Sequence, residues 1–76
     1  MTMVEVGGVR YDTEALDLDR LHANLVAASE EAIQLWLHAG RNPHEPQWVE
    51  KAKVADALEA ELRELIKIKR ADNRKE

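Results

Sequence analysis

Apolar residues recur at alternating intervals of three and four positions between residues 18 and 39. This spacing brings the side chains onto one stripe of an α-helix, as in helices that pack lengthwise against other helices. Thr13 or Asp17, ahead of the stripe, can cap the helix, and the acidic side chains nearby suit its positive end. We therefore predict helix 1 over residues 13–39. The stripe consists of Leu18, Leu21, Leu25, Ala28, Ala32, Leu35 and Ala39.

A second apolar run with the same period predicts a partner helix over residues 47–70. Gly40 is placed to end helix 1 in the left-handed conformation, which leaves a short connection over residues 40–46. So short a connection makes the two helices antiparallel neighbours, and their stripes stay in phase over the full length. Residues 71–76 are polar, and we expect them to fray. The second run consists of Trp48, Ala55, Leu58, Leu62 and Leu65.

Two short β-branched segments flank Gly7-Gly8 near the start of the chain. Two glycines supply the positive φ angles that a two-residue hairpin turn requires, so residues 4–11 are predicted to form a β-hairpin. In the register set by this turn, one face is apolar and the other pairs opposite charges. An isolated hairpin is only marginally stable, so its apolar face must pack on another element. The predicted pairs are Val6 with Val9, Glu5 with Arg10, and Val4 with Tyr11.

Length and composition restrict the choice of fold. The 76 residues form a single small domain, near the lower limit for a self-sufficient core. Such a chain rarely obtains more than about 3–5 kcal/mol from its core without a disulfide, a metal or a partner subunit. The absence of cysteine excludes disulfides. The opening residues do not form a signal peptide, and no apolar stretch approaches the ~20 residues that span a bilayer, so we expect a cytoplasmic protein.

Helix 1 carries more apolar surface than one partner helix can cover. Its apolar arc extends over roughly 160°, whereas a helix with one packed face needs about 100°. The N-terminal hairpin, a second copy of the chain or a different protein could cover the excess, and the short, unstapled chain favours the second copy. The predicted fold class is therefore mainly α: an antiparallel, coiled-coil-like two-helix hairpin preceded by a short β-hairpin, in a dimeric helical bundle. The residues that widen the arc are Val26, Ile33, Trp36 and Leu37.

Two tryptophans lie near the loop end of the predicted helical hairpin. Tryptophan is enriched at binding hot spots, but an indole can also close a core while its N–H reaches a polar partner. The core interpretation is favoured for Trp48, which is in phase with the apolar run, whereas the two interpretations are balanced for Trp36. The candidate partner-binding residues are Val26, Ile33, Trp36, Leu37 and Trp48.

Charge is distributed unevenly along the chain. The net charge is −4, yet residues 66–76 carry five cations against two acids, a net +3, which leaves −7 for the other 65 residues. Nucleic-acid binding rests on neutralising phosphates, so an acidic body disfavours it. A charge run of this kind is usually a solvated helix end, and this one would also lie beside the acidic start of helix 1. The candidate anion contacts are Lys67, Lys69, Arg70, Arg74 and Lys75.

The three histidines do not follow a metal-binding pattern. A helical zinc site needs histidines three or four residues apart, whereas His22, His38 and His44 are separated by 16 and 6 positions. A pair of helices also offers no enclosed cleft in which a histidine could act as an acid or a base on a substrate. We therefore predict no enzyme, no metal and no cofactor.

The opening of the chain, a strand and a glycine turn followed by Val9-Arg10-Tyr11-Asp12 and paired helices, resembles the opening of small phage proteins. This resemblance implies an accessory protein of a phage or mobile element, without a particular activity. The surplus apolar arc and the absence of catalytic groups lead us to predict a non-enzymatic protein–protein interaction module, a small adaptor or an inhibitor. Its partners would be a second copy of itself and another, unidentified protein. The alternative is a nucleic-acid-associated regulatory protein that uses the basic C-terminal tail, with an affinity that falls steeply with salt.

Overall fold

The computed structural model describes residues 3–74 of the chain. Two paired strands, β1 (Met3–Val6) and β2 (Val9–Asp12), are followed by a 3₁₀ turn at Thr13–Ala15 and by two long helices, α1 (Leu18–Arg41) and α2 (Gln47–Arg74). The helices pack against each other along a molecule that measures 51 × 22 × 14 Å. This confirms a mainly helical fold with two packed helices and a short N-terminal antiparallel sheet.

The β-hairpin adopts the predicted register. All three predicted cross-strand pairs are confirmed, and one further pair, Met3 with Asp12, extends each strand by one residue. Gly7 and Gly8 form the turn with φ angles of 61° and 80°. Both values lie in the left-handed region, which glycine enters without the steric cost of a Cβ atom.

Replacing Gly7 by alanine should destabilise the protein more than replacing Gly8. At either position an alanine would adopt a positive φ, at a cost of about 1–2 kcal/mol. A Cβ at Gly7 would also displace the carboxylate of Glu61 on α2, which is the end of a flexible side chain and can turn away at a small further cost, whereas a Cβ at Gly8 meets no neighbouring atom within 4 Å. Thermal unfolding followed by circular dichroism should rank the wild type above Gly8→Ala, and Gly8→Ala above Gly7→Ala. Adding Glu61→Ala should recover the difference between the two variants, and a failure to do so would contradict this explanation.

The structure confirms Asp17, one of the two predicted caps of helix 1, and moves the start of the helix from residue 13 to Leu18. The carboxylate of Asp12 accepts a hydrogen bond from the Glu14 N–H at 3.0 Å, and this bond starts the 3₁₀ turn rather than an α-helix. Leu16 is extended, and Asp17 then caps α1 by accepting from the Asp19 N–H at 3.0 Å. The helix starts five positions later than predicted because each aspartate captures an N–H group two residues ahead of it.

The end of helix 1 also differs from the prediction. Gly40 lies inside α1, and the helix continues to Arg41. The backbone N–H and the side-chain amide of Asn42 each donate to the His38 carbonyl at 2.9 Å. Because Asn42 supplies this cap, the left-handed conformation expected at Gly40 is not needed.

Helix α2 begins at Gln47, as predicted, but it ends at Arg74, four residues beyond the predicted end. Residues 71–74, which were expected to fray, form its last turn. The carboxylate of Asp72 lies 3.9 Å from the amine of Lys69, an (i, i+3) ion pair that favours helix in this region. The last two residues of the predicted tail lie outside the described part of the chain.

The contact between the helices is built from alanines near the loop and from larger residues near the sheet. It includes Ala52 and Ile66, which the predicted run of helix 2 omitted, whereas Leu58, which the run included, is half exposed. Alanine lets two helices approach closely, since its side chain ends at Cβ. The buried residues of the two helices are Leu21, Ala28, Ala32, Ala52, Ala55, Leu62, Leu65 and Ile66.

Two side-chain contacts show that the helices are antiparallel and keep one register. The indole N–H of Trp36 donates to Asp56 at 2.8 Å, and the guanidinium of Arg70 lies 3.0 Å from Nε2 of His22. His22 precedes Trp36 by 14 residues, and Arg70 follows Asp56 by 14 residues. Each step along α1 is therefore matched by an equal step in the opposite direction along α2, and the two helices stay in phase.

The sheet packs at the C-terminal end of α2. Val6 is buried in a cluster with residues of both helices, and the amine of Lys69 donates to the Thr13 carbonyl at 2.8 Å. The β-hairpin therefore rests on the helices of its own chain, but it does not cover the surplus apolar arc of helix 1. The buried members of this cluster are Val6, Leu21, Ala28, Leu62, Leu65 and Ile66.

Candidate interaction surface

Helix α1 carries a row of exposed apolar side chains beside its contact with α2. At 3.6 residues per turn, Val26, Ile33 and Leu37 lie about 100–140° around α1 from Ala32, which is buried in the contact. The three side chains are 58%, 60% and 48% exposed. We call these three residues the apolar ridge. The structure thus places three of the five candidate partner-binding residues on one side of α1, with the exposed Glu30 between Val26 and Ile33.

Trp36 borders the apolar ridge on the side that faces α2. It lies about 40° from Ala32 around the helix. Its indole N–H donates to Asp56 at 2.8 Å, but its side chain is 42% exposed and does not close the core. The indole spans the gap between the helices, so the ridge and this side of α2 form one broad surface. We call this surface the ridge face.

Trp48 lies at the loop end of the helical hairpin, away from the apolar ridge. Its ring stacks on His38 with centroids 4.8 Å apart and an interplanar angle of 22°. The amine of Lys51 lies 5.0 Å from the ring centroid, and the indole N–H donates to Glu45 at 3.3 Å. This half-buried tryptophan has a polar partner, as expected, and its contacts hold the loop end of the two helices together.

A second apolar surface lies on the face opposite the ridge. Leu35, Trp48, Val54 and Leu58 line a shallow groove of about 600 Å³. Helical geometry places Leu35 about 60° from Ala32 in the direction away from the ridge. The sheet covers the same face further along α2, so this groove is the part that the sheet leaves open. Sequence reasoning missed the groove, although Val54, four residues before Leu58, was a signal for it.

Four cations form a row along the ridge face of α2. They are spaced by four, three and four residues, which places them on one side of the helix. Three of them were candidate anion contacts, whereas Arg63 was missed although it continues the same spacing. We call Arg63, Lys67, Arg70 and Arg74 the basic row. A shallow pocket of about 500 Å³ is lined by His22, Leu25, Ile66 and the four residues of the basic row.

The two remaining candidate anion contacts are not part of this row. The side chain of Lys69 is only 14% exposed, because its amine donates to the Thr13 carbonyl and lies beside Asp72. Lys69 therefore ties α2 to the 3₁₀ turn. Lys75 lies outside the described residues.

The histidines are dispersed over the molecule. His22 contacts Arg70, His38 stacks on Trp48, and His44 is exposed in the loop. Among residues 3–74, no three side chains of histidine, cysteine, aspartate or glutamate come close enough to hold a metal ion.

Comparisons of the chain with protein-family models, curated proteins and solved structures find no match. Within the described residues, neither helix combines the length and the apolar character needed to cross a membrane. A function must therefore be argued from the surfaces of the molecule itself.

Proposed function

We propose that this chain is a non-enzymatic protein–protein interaction module, a small adaptor or an inhibitor, that acts through the apolar ridge. The observation that carries the proposal is the exposure of Val26, Ile33 and Leu37 in one row on a well-packed helix. Contiguous exposed apolar residues on a soluble protein are typical of interaction sites. The depressions on both faces are shallow, which suits contact with another protein better than enclosure of a substrate.

The size of the exposed surface supports this proposal. The chain exposes 5659 Å², whereas a compact monomer of 8.7 kDa exposes about 4,700 Å² by area–mass scaling. Its radius of gyration is 15.0 Å, against about 11 Å for a compact domain of this length. The excess of about 900 Å² follows from the elongated shape of the two helices, which leaves the sides of α1 open to a partner.

The first partner that we propose for the ridge is a second copy of the chain. A twofold axis across α1 would place the two ridges against each other with the helices antiparallel, which gives a self-complementary contact. Asp19 at the start of α1 and Arg41 at its end are both exposed. In such a pair, the acidic end of one helix would lie near the basic end of the other, and the helix dipoles would oppose each other favourably.

Replacing Val26 and Ile33 together by aspartate should abolish self-association. The two carboxylates would be buried without partners in a ridge contact, which should weaken the dimer by more than about tenfold, since 1.4 kcal/mol already gives that factor. Light scattering over a micromolar to millimolar concentration series should give the wild type twice the 8.7 kDa chain mass. The double variant should keep the mass of one chain.

The matched control is Ala27→Asp with Gln34→Asp. These exposed residues of α1 have the same spacing of seven positions but lie outside the ridge, so the wild-type mass should be retained. A wild-type chain that stays monomeric throughout would rule out the second copy as the partner. A ridge variant with the wild-type mass would show that another surface makes the contact.

A further inference from the structure

The basic row combines four positive charges with an apolar floor. From Arg63 to Arg74 it follows α2 for about 16 Å at 1.5 Å per residue, and the cations are about one turn apart. Leu25 and Ile66 lie at the base of the pocket between the helices. The guanidinium of Arg70 donates to Nε2 of His22 at 3.0 Å, which holds the arginine across this pocket.

Interactions within the chain leave most of this charge uncompensated. Arg63 pairs with Glu59 on the same helix. Among residues 3–74, no carboxylate forms an ion pair with Lys67, Arg70 or Arg74, although the contact of Arg70 with His22 brings the basic end of α2 beside the start of α1, as expected. The helix dipole favours a cation in the last turn of α2, but it does not extend back to the first half of the row.

Like charges three and four residues apart disfavour a helix, so repulsion within the basic row lowers the stability of α2. The packing of the fold does not require these four cations to lie in one row, since their side chains point into solvent or across a shallow pocket. An anionic group bound to the row would turn this repulsion into attraction. Lys67 and Arg70 are therefore the two members of the row that neither an ion pair nor the last turn of the helix accounts for.

We infer that the basic row is a docking site for an acidic amphipathic helix of a partner protein. The cations are spread along a line instead of converging on one point, so they match a row of carboxylates at one-turn intervals better than a single phosphate. An apolar side chain between those carboxylates would contact Leu25 and Ile66. A phosphate polymer fits less well, because the net charge of the chain is −4.

This site is separate from the proposed ridge contact. The row follows residues 63–74 of α2 towards the sheet, whereas the ridge occupies residues 26–37 of α1 towards the loop. An antiparallel pair of ridges would leave the two basic rows at opposite ends of the dimer. Failure of one proposal therefore does not decide the other.

The test uses a synthetic helical peptide with glutamates spaced by four, three and four residues and leucines beside them. A scrambled peptide of the same composition is its control. Calorimetric titration should show binding of the helical peptide that weakens steeply as salt is added. Replacing both Lys67 and Arg70 by glutamine should weaken the binding of the helical peptide by about tenfold. Each exposed charge pair contributes up to about fivefold to the affinity. The matched control, Arg10→Gln with Lys53→Gln, removes one exposed arginine and one exposed lysine elsewhere and should bind like the wild type.

Four results would overturn the inference. The scrambled peptide could bind as tightly as the helical one, or the two double variants could bind alike. Inorganic phosphate or duplex DNA could compete fully at charge-equivalent concentrations, which would assign the row to phosphate. Finally, the Lys67→Gln, Arg70→Gln variant should keep the wild-type mass in light scattering without peptide. A loss of self-association in this variant would mean that the basic row binds carboxylates of a second copy of the chain.

Discussion

Replacing Leu65 by alanine should leave the protein largely unfolded under conditions in which the wild type is folded. Leu65 is 2% exposed and belongs to the cluster that joins α2 to α1 and to the sheet. A buried Leu→Ala substitution costs about 2–5 kcal/mol, because it loses apolar burial and leaves a cavity. This cost is similar to the ~3–5 kcal/mol that a core of this size supplies. Urea and thermal unfolding followed by circular dichroism would measure it, with each kcal/mol lowering Tm by about 4–8 °C.

The control for this experiment is Leu58→Ala, one heptad earlier on the same helix. The side chain of Leu58 is 46% exposed in the open groove, so its truncation removes less burial and no enclosed volume. The expected cost is within about 1 kcal/mol. Equal losses of unfolding free energy from the two variants, at the same protein concentration, would mean that Leu65 does not belong to the core formed by the helices and the sheet.

Replacing Ala52 by leucine should be the next most damaging single change. Ala52 is completely buried in the part of the helix contact near the loop, where the other buried residues, Ala32 and Ala55, are also alanines. A larger side chain must either adopt a strained rotamer or push the helices apart, at a typical cost of about 1–3 kcal/mol. The chemical-denaturation midpoint should therefore fall even though the substitution adds apolar atoms and keeps good helix propensity.

Ala57→Leu separates overpacking from the effect of an added leucine. Ala57 is exposed on the same helix, so a leucine there has similar helix propensity and meets no neighbouring helix. Its unfolding free energy should stay within about 0.5 kcal/mol of the wild type. A destabilised Ala57→Leu, or an unchanged Ala52→Leu, would contradict the close approach of the helices at Ala52.

Sequence patterns were most informative where the interacting residues are neighbours in the chain. Gly7-Gly8 predicted the complete register of the β-hairpin, because a two-residue turn sets the pairing of both strands. Each tryptophan also has the polar partner expected for its indole N–H. The helix ends were less predictable, since several residues compete as caps. Asp12 and Asp17 both satisfy backbone N–H groups near the start of α1, and Asn42 ends this helix instead of Gly40.

The apolar period of the sequence determined that two long helices pack side by side and that α1 has apolar surface to spare. It did not determine which residues of α2 are buried, because the rotation of one helix against another depends on the packing of both. The sheet also contributes to that choice: Val6 of β1 and Leu65 belong to one buried cluster, whereas Leu58 is half exposed. In the same way, only the antiparallel packing brings the apolar ridge and the basic row onto one face. Helical periodicity relates residues within each helix, whereas the relation between residues 26–37 and residues 63–74 arises only when the two helices meet.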